Sequence, residues 1–270
     1  MEYLPLTVQL VRSVRGQRLR RMHARWRRGL PMWNCLGDSG SGDSCLTSNA
    51  GSGERSCSVS ASTDLKPRLR GWLHFGTAPL AFVLGLCLLV VTPTPELRAG
   101  VAVYVGSAVL LFGVSAAYHL GAGGPRTNEF LHRLDHANIY LFIAGSYTPF
   151  AVDLPEYGSL LLAIVWGIAI IGTIIGVAWW SAPRWLVVGS YLALGWIAVI
   201  FLPLMWNAFG AGIVALVALG GLLYSLGAIV YARKKPDPSP DWFGYHEIFH
   251  SFTIVAFLVQ LVAITIVVTG

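Results

Sequence analysis

Five residues in this 270-residue chain have types and spacings that could do chemistry together: Ser115, His119, Asp135, His246 and His250. His246 and His250 are four apart, so on a helix both leave one face and can grip a single ion. Ser115 and His119 have the same spacing, which sets the hydroxyl one turn below the imidazole. Neutral imidazoles suit zinc, and a catalytic zinc keeps three protein ligands and one water. His119, His246 and His250 would supply the three ligands, with Asp135 and Ser115 holding the water or orienting the rings. Asp135 could instead be a fourth ligand, which would close the site and make the metal structural.

The segment around His250 has a second reading. "HEIFH" at His246–His250 fits His-Glu-x-x-His, the zinc-protease signature in which the glutamate is the general base. That pattern takes its third ligand from downstream, and no Asp, Glu or His follows His250. A third ligand would have to come from upstream, as His119 does. His23, His74, His132 and His136 are expected to be interfacial histidines with a ring edge in water, and no metal role is assigned to them.

These residues must be positioned by membrane helices. Hydrophobic residues make up 55% of the chain and charged residues only 12%, where a soluble domain carries about a quarter charged. Seven apolar spans are expected, at about 71–91, 99–120, 134–152, 159–180, 185–206, 210–232 and 243–268. Each is close to the roughly 20 residues that cross a bilayer. Pro, Gly and charge mark the breaks between them. Pro203 makes the fifth span the least regular. An open sheet could not satisfy its backbone in lipid, so the expected fold class is all-α, a seven-helix bundle. Gly172 and Gly176 form a Gly-x-x-x-Gly pair that can serve a homo-oligomer face or packing within the bundle. Packing is the preferred use, because six other helices need partners.

Orientation follows from Lys and Arg in short loops. Lys66, Arg68 and Arg70 precede the first span, Arg126 and Arg133 lie between spans two and three, Arg184 between four and five, and Arg233, Lys234 and Lys235 between six and seven. The alternate loops hold only Arg98. The N-terminus is therefore expected in the cytoplasm and the C-terminus outside. On that topology His119, Asp135, His246 and His250 share one depth, at the cytoplasmic face. The net charge of +6 does not point to nucleic acid, because twelve of the 19 Lys and Arg lie before Gly71.

Residues 1–65 differ from the rest. They hold eight arginines between Arg12 and Arg28 and a Gly/Ser-rich tract from Gly37 to Ser62. The apolar patch Leu4–Val11 precedes the arginines, the wrong order for a secretory signal. The expectation is a disordered tail, or translation that starts further downstream. The membrane domain is set at residues 66–270. Cys35, Cys45, Cys57 and Cys87 show no Cys-x-x-Cys spacing and offer no metal or disulfide framework.

"SAAYH" at Ser115–His119, "LHRLDHANIYLFIAGSYTPF" at Leu131–Phe150 and "HEIFH" at His246–His250 resemble the hemolysin III family, bacterial relatives of the progestin and adipoQ receptors. The resemblance covers about Lys66 to Gly270. It implies a multi-pass protein of the cell membrane with zinc on His119, His246 and His250, a water held by Asp135, and Ser115 supporting the site. Through the related alkaline ceramidases it implies a hydrolase acting on amides or esters of membrane lipids. Through the family name it implies the alternative, a pore-forming, cytolytic or receptor-like protein with a structural zinc.

Overall fold

The computed structural model describes residues 67–270, apart from Ala122 and Trp180. The expectations for residues 1–65, and for His23, lie outside the described residues. The described residues form helices α1 (Trp72–Val91), α2 (Pro95–Leu120), α3 (Pro125–Asp153), α4 (Gly158–Ala178), α5 (Arg184–Gly195), α6 (Ala198–Arg233) and α7 (Tyr245–Thr269). No strand occurs among them, only one isolated bridge between Ser239 and Phe243.

Local chemistry sets most boundaries. The Thr94 hydroxyl accepts from the Leu97 N–H at 3.3 Å, and Pro95 occupies the first position of α2, where a missing N–H costs nothing. Gly121 takes a left-handed conformation (φ 73°) and ends α2 as glycine readily does. Gly124 and Pro125 then restart the chain as α3, so helix covers much of what the sequence suggested was a loop before Leu134. α3 stops at Asp153, ahead of Pro155.

The fifth expected span is built differently from the expectation. α5 ends at Gly195, and a short irregular step at Trp196 and Ile197 leads into α6. Pro203 lies inside helix, while the backbone leaves helical geometry at Gly210 (φ 81°, ψ 172°). A positive φ with extended ψ is open almost only to glycine, and nothing lies within 4 Å of a Cβ built there.

Among the described residues, five segments are long and apolar enough to cross a membrane: α1, α2, α4, the stretch Arg184–Arg233, and α7. Their outward side chains are apolar, with Val90, Ile174, Trp185 and Ile200 each more than 60% exposed. α3 is missing from this group because Arg126, Glu129, Arg133 and Asp135 dilute its first half. It is enclosed instead, packing along α2 and α4 and touching α5 and α7. Between Ala137 and Ala151 most of its residues are buried. Two apolar clusters meet on it. One joins Tyr104, Phe112, Phe142, Phe257 and their neighbours, and the other Tyr140, Ala144, Tyr147, Leu161 and Phe201.

Tyr140 shows how α3 is held. Its hydroxyl pairs with the Ser190 hydroxyl at 2.7 Å, its ring lies edge-on to Tyr191, and Gly172 of α4 faces it so closely that a Cβ would overlap the ring. Gly176 also faces Tyr140. The Gly172/Gly176 pair thus serves packing within the bundle. Gly172→Ala should therefore destabilise the protein by about 1–3 kcal/mol through overpacking. Gly167→Ala on the same helix meets open space and should be neutral, or stabilising by up to about 1 kcal/mol. Thermal unfolding of the two variants in detergent, side by side, checks this, and equal melting points would contradict it.

Candidate metal centre

Three helix ends build the site. The last two turns of α2 carry Ser115 and His119, the first half of α3 carries Asp135, and the first two turns of α7 carry His246 and His250. The start of α7 is fixed by Glu247, whose side chain is fully buried. Its Oε2 accepts from the Gly244 N–H at 2.9 Å, and its Oε1 accepts from Arg70 Nε at 2.9 Å. A carboxylate three residues into a helix that reaches back to the cap N–H satisfies one orphan donor and suits the positive end of the helix dipole. Arg70 belongs to the segment before α1, and that segment is itself tied to the same corner. The Arg68 N–H donates to Asp241 O at 2.9 Å, and the Arg68 guanidinium sits 4.7 Å from the Trp242 ring centroid. Gly71 follows with φ 91°, and a Cβ there would come within 3.0 Å of His119 Cβ. Only glycine lets the chain take this φ and pass this close to His119 and Leu120.

The histidines converge. One nitrogen from each of His119, His246 and His250 lies within 4.8 Å of the other two. The Nε2 atoms of His119 and His246 are 3.1 Å apart. Two imidazole nitrogens on one tetrahedral zinc, each about 2.0–2.1 Å from it, sit roughly 3.3 Å apart. His250 is 2% exposed, and its Nδ1 is buried with no hydrogen-bond partner. A buried orphan nitrogen beside two other imidazoles is a donor set that fits a zinc ion. Asp135 Oδ2 stands 3.7 Å from His119 Nε2. Ser115, 2% exposed, is beside the Asp135 carboxylate.

The other histidines divide. His74, expected at the interface with a ring edge in water, is 3% exposed and stacks on His250 with centroids 3.7 Å apart and planes 13° off parallel. Both its ring nitrogens are buried without a hydrogen-bond partner. The reason is the Arg70–Glu247 pair, which draws the start of α1 against α7. One signal for this was available in sequence: His74 lies one turn into the first span, at the same expected depth as the other three. His132 and His136 stand outside the three-histidine set. His136 Nδ1 is 3.0 Å from the His132 carbonyl, and its Nε2 is 3.5 Å from the Tyr231 hydroxyl. Glu247 is occupied by Arg70 and Gly244, so the zinc-protease role of a general base does not fall to it.

Two cavities meet here. A small one of about 140 Å³ is lined by Arg70, His119, Asp135, Arg184, Tyr231 and His246, among others. A larger one of about 390 Å³ starts at Ser115, Asp135 and His250 and continues between apolar side chains as far as Phe150, Leu161 and Met205. Asp135 and His246 wall both. The histidine cluster therefore sits between a polar vestibule and an apolar chamber.

Comparison with known proteins places the chain in a family. The family model described as "Haemolysin-III related" matches residues 63–261. A hemolysin-3 homolog of Bacillus subtilis is 36% identical over 155 residues, which is 55% of this chain and 68% of that protein. Hemolysin-3 of Bacillus cereus is 35% identical over 157 residues, 56% of this chain and 67% of that protein. The human monocyte to macrophage differentiation factor is 30% identical over 161 residues, 57% of this chain and 64% of that protein. With a helical membrane fold, three converging histidines and a family match across most of its length, the chain belongs to the haemolysin III-related family of multi-pass membrane proteins.

Proposed function

We propose that this protein crosses the membrane seven times, with a cytoplasmic N-terminus and an external C-terminus. On this reading it holds one zinc ion on His119, His246 and His250 and hydrolyses an amide or ester bond of a membrane lipid. Seven spans follow if α5 and the part of α6 before Gly210 cross together and the rest of α6 returns. The distribution of Lys and Arg supports the orientation. A reporter active only outside the cytoplasm, fused after Gly270, should be active, whereas activity of a strictly cytoplasmic reporter there would reverse the assignment.

The observation that carries the hydrolase is one carboxylate beside three imidazoles at the mouth of an apolar chamber. Zinc held by His119, His246 and His250 would supply Lewis acidity toward a water and an acyl carbonyl. Asp135 accepts the proton released by that water and delivers it to the departing nitrogen or oxygen. Ser115 hydrogen-bonds the carboxylate and aims it. His74, flat against His250, holds that ring in place. The chamber takes the acyl chain and keeps bulk water from the reacting carbonyl. Arg70 is engaged with Glu247, and the Arg184 guanidinium lies 5.0 Å from the Tyr231 ring centroid.

A second reading rests on the same carboxylate. At 3.7 Å from His119 Nε2, Asp135 is near enough to become a fourth ligand after a small rotation. Zinc would then join α2, α3 and α7 in a pore-forming or receptor-like protein with no turnover.

Metal analysis of purified protein should find one zinc per chain. His246→Ala and His250→Ala should each lower it at least tenfold, and His132→Ala should leave it unchanged; equal zinc in all three variants would overturn the ligand set. Asp135→Asn separates the two readings. The hydrolase should keep its zinc and lose at least a hundredfold in hydrolysis of ceramide-like amides, whereas a structural fourth ligand should cost metal content instead.

A further inference from the structure

The large cavity has a second polar point far from the histidines. Gln260 follows His250 on α7 by ten residues, about 15 Å along the helix axis. It is 9% exposed, lines the cavity, and its Oε1 has no hydrogen-bond partner. The Tyr224 hydroxyl of α6 lines the same cavity and is also buried without a partner. The two belong to one patch. Gly220 of α6 faces Gln260, since a Cβ built on Gly220 would lie 3.2 Å from Gln260 Cγ. Tyr224 is one turn on from Gly220, and α6 and α7 run antiparallel, so Tyr224 falls on the histidine side of Gln260. Thr253 shares the face of Gln260, seven residues away, and its hydroxyl is spent on the Phe249 carbonyl at 3.0 Å.

An amide oxygen and a phenol left without partners inside a membrane bundle are costly, and a plain hydrocarbon chain in the cavity would leave them so. A hydroxyl on the occupant can donate to Gln260 Oε1 and accept from the Tyr224 O–H. We infer that the cavity selects an acyl chain that carries a hydroxyl in its middle, read by Gln260 and Tyr224 while the polar end of the chain lies at the histidines. The inference deepens the proposed lipid hydrolase and takes from it only that the occupant is an acyl chain. Neither bound zinc nor turnover is needed for the hydroxyl to be read.

The test is a binding measurement on the full chain in nanodiscs, with three free fatty acids as probes: stearic acid, α-hydroxystearic acid and a mid-chain hydroxystearic acid. The mid-chain hydroxy acid should bind about tenfold tighter than stearic acid, the difference expected when buried polar groups gain a partner. α-Hydroxystearic acid should bind no tighter than stearic acid. Gln260→Leu should remove most of the preference while leaving stearic acid affinity within about twofold. Tyr224→Phe, which deletes one oxygen and keeps the ring, should reduce the preference in a protein whose packing is unchanged. Wild-type protein that hydrolyses no lipid amide or ester but binds the mid-chain hydroxy acid selectively would fail the hydrolase reading and leave this one standing. Equal affinity for the three acids, no binding of any of them, or a preference that survives both Gln260→Leu and Tyr224→Phe would overturn the proposal. The first of these outcomes would mean that water satisfies the two groups.

Discussion

The site depends on the Glu247 carboxylate. It is fully buried and binds two donors, the Arg70 guanidinium from the segment before α1 and the Gly244 N–H that opens α7. A buried carboxylate with a missing partner typically costs about 3–5 kcal/mol, so the corner holds only if all its parts are present. Glu247 also sits between His246 and His250 in sequence. Fixing its direction fixes theirs, because neighbouring helix positions are about 100° apart. The same contact pulls Gly71 against His119 and His74 onto His250. One ion pair thereby sets the relative placement of three histidines and the ring stacked on one of them.

The rest of the bundle follows from where polar side chains can be kept. α3 is the least apolar of the long helices and would be a poor lipid-facing span, yet it carries Asp135. The fold resolves this by surrounding it. α2 packs on one side and α4 on another, and Gly172 gives up its side chain so that the Tyr140 ring can lie against α4. Hydroxyls that penetrate the apolar region mostly return their hydrogen to a carbonyl of their own helix, as Thr148 does to Ala144 and Thr265 to Leu261. Tyr147 instead ties α3 to the irregular step after α5, donating to Gly195 O at 2.5 Å and accepting from the Ala198 N–H at 2.9 Å. Backbone bonds satisfy other groups of that step, and Tyr147 serves these two.

Against this background the unpaired polar atoms stand out. Among the described residues, His250 Nδ1, both nitrogens of His74, the Tyr224 hydroxyl, Gln260 Oε1 and Arg133 Nε belong to side chains that line the large cavity, and Asn128 Oδ1 does not. A small polar cavity adjoins the large one at Asp135 and His246.

Much of this was legible in the sequence. Apolar runs of about 20 residues can only be satisfied in lipid, and helix is the backbone that closes its own hydrogen bonds there. The i, i+4 spacing of His246 and His250, and the capping chemistry at Thr94, Pro95 and Gly121, act over one or two turns and so can be read locally. Contacts between segments far apart in the chain are different. That Glu247 would pair with Arg70 rather than serve as a general base, that His74 would be buried rather than wetted, and that the span expected at 185–206 would be interrupted at Trp196 were decided by packing. Each depends on which helix lies beside which, and no local propensity carries that information. Pro203 remains inside helix, whereas the backbone departs from helical geometry at Gly210, where the chain requires a φ that only glycine takes easily. The residue types at the site were a property of the sequence. Their partners, and the cavity that gives them a purpose, came from tertiary structure.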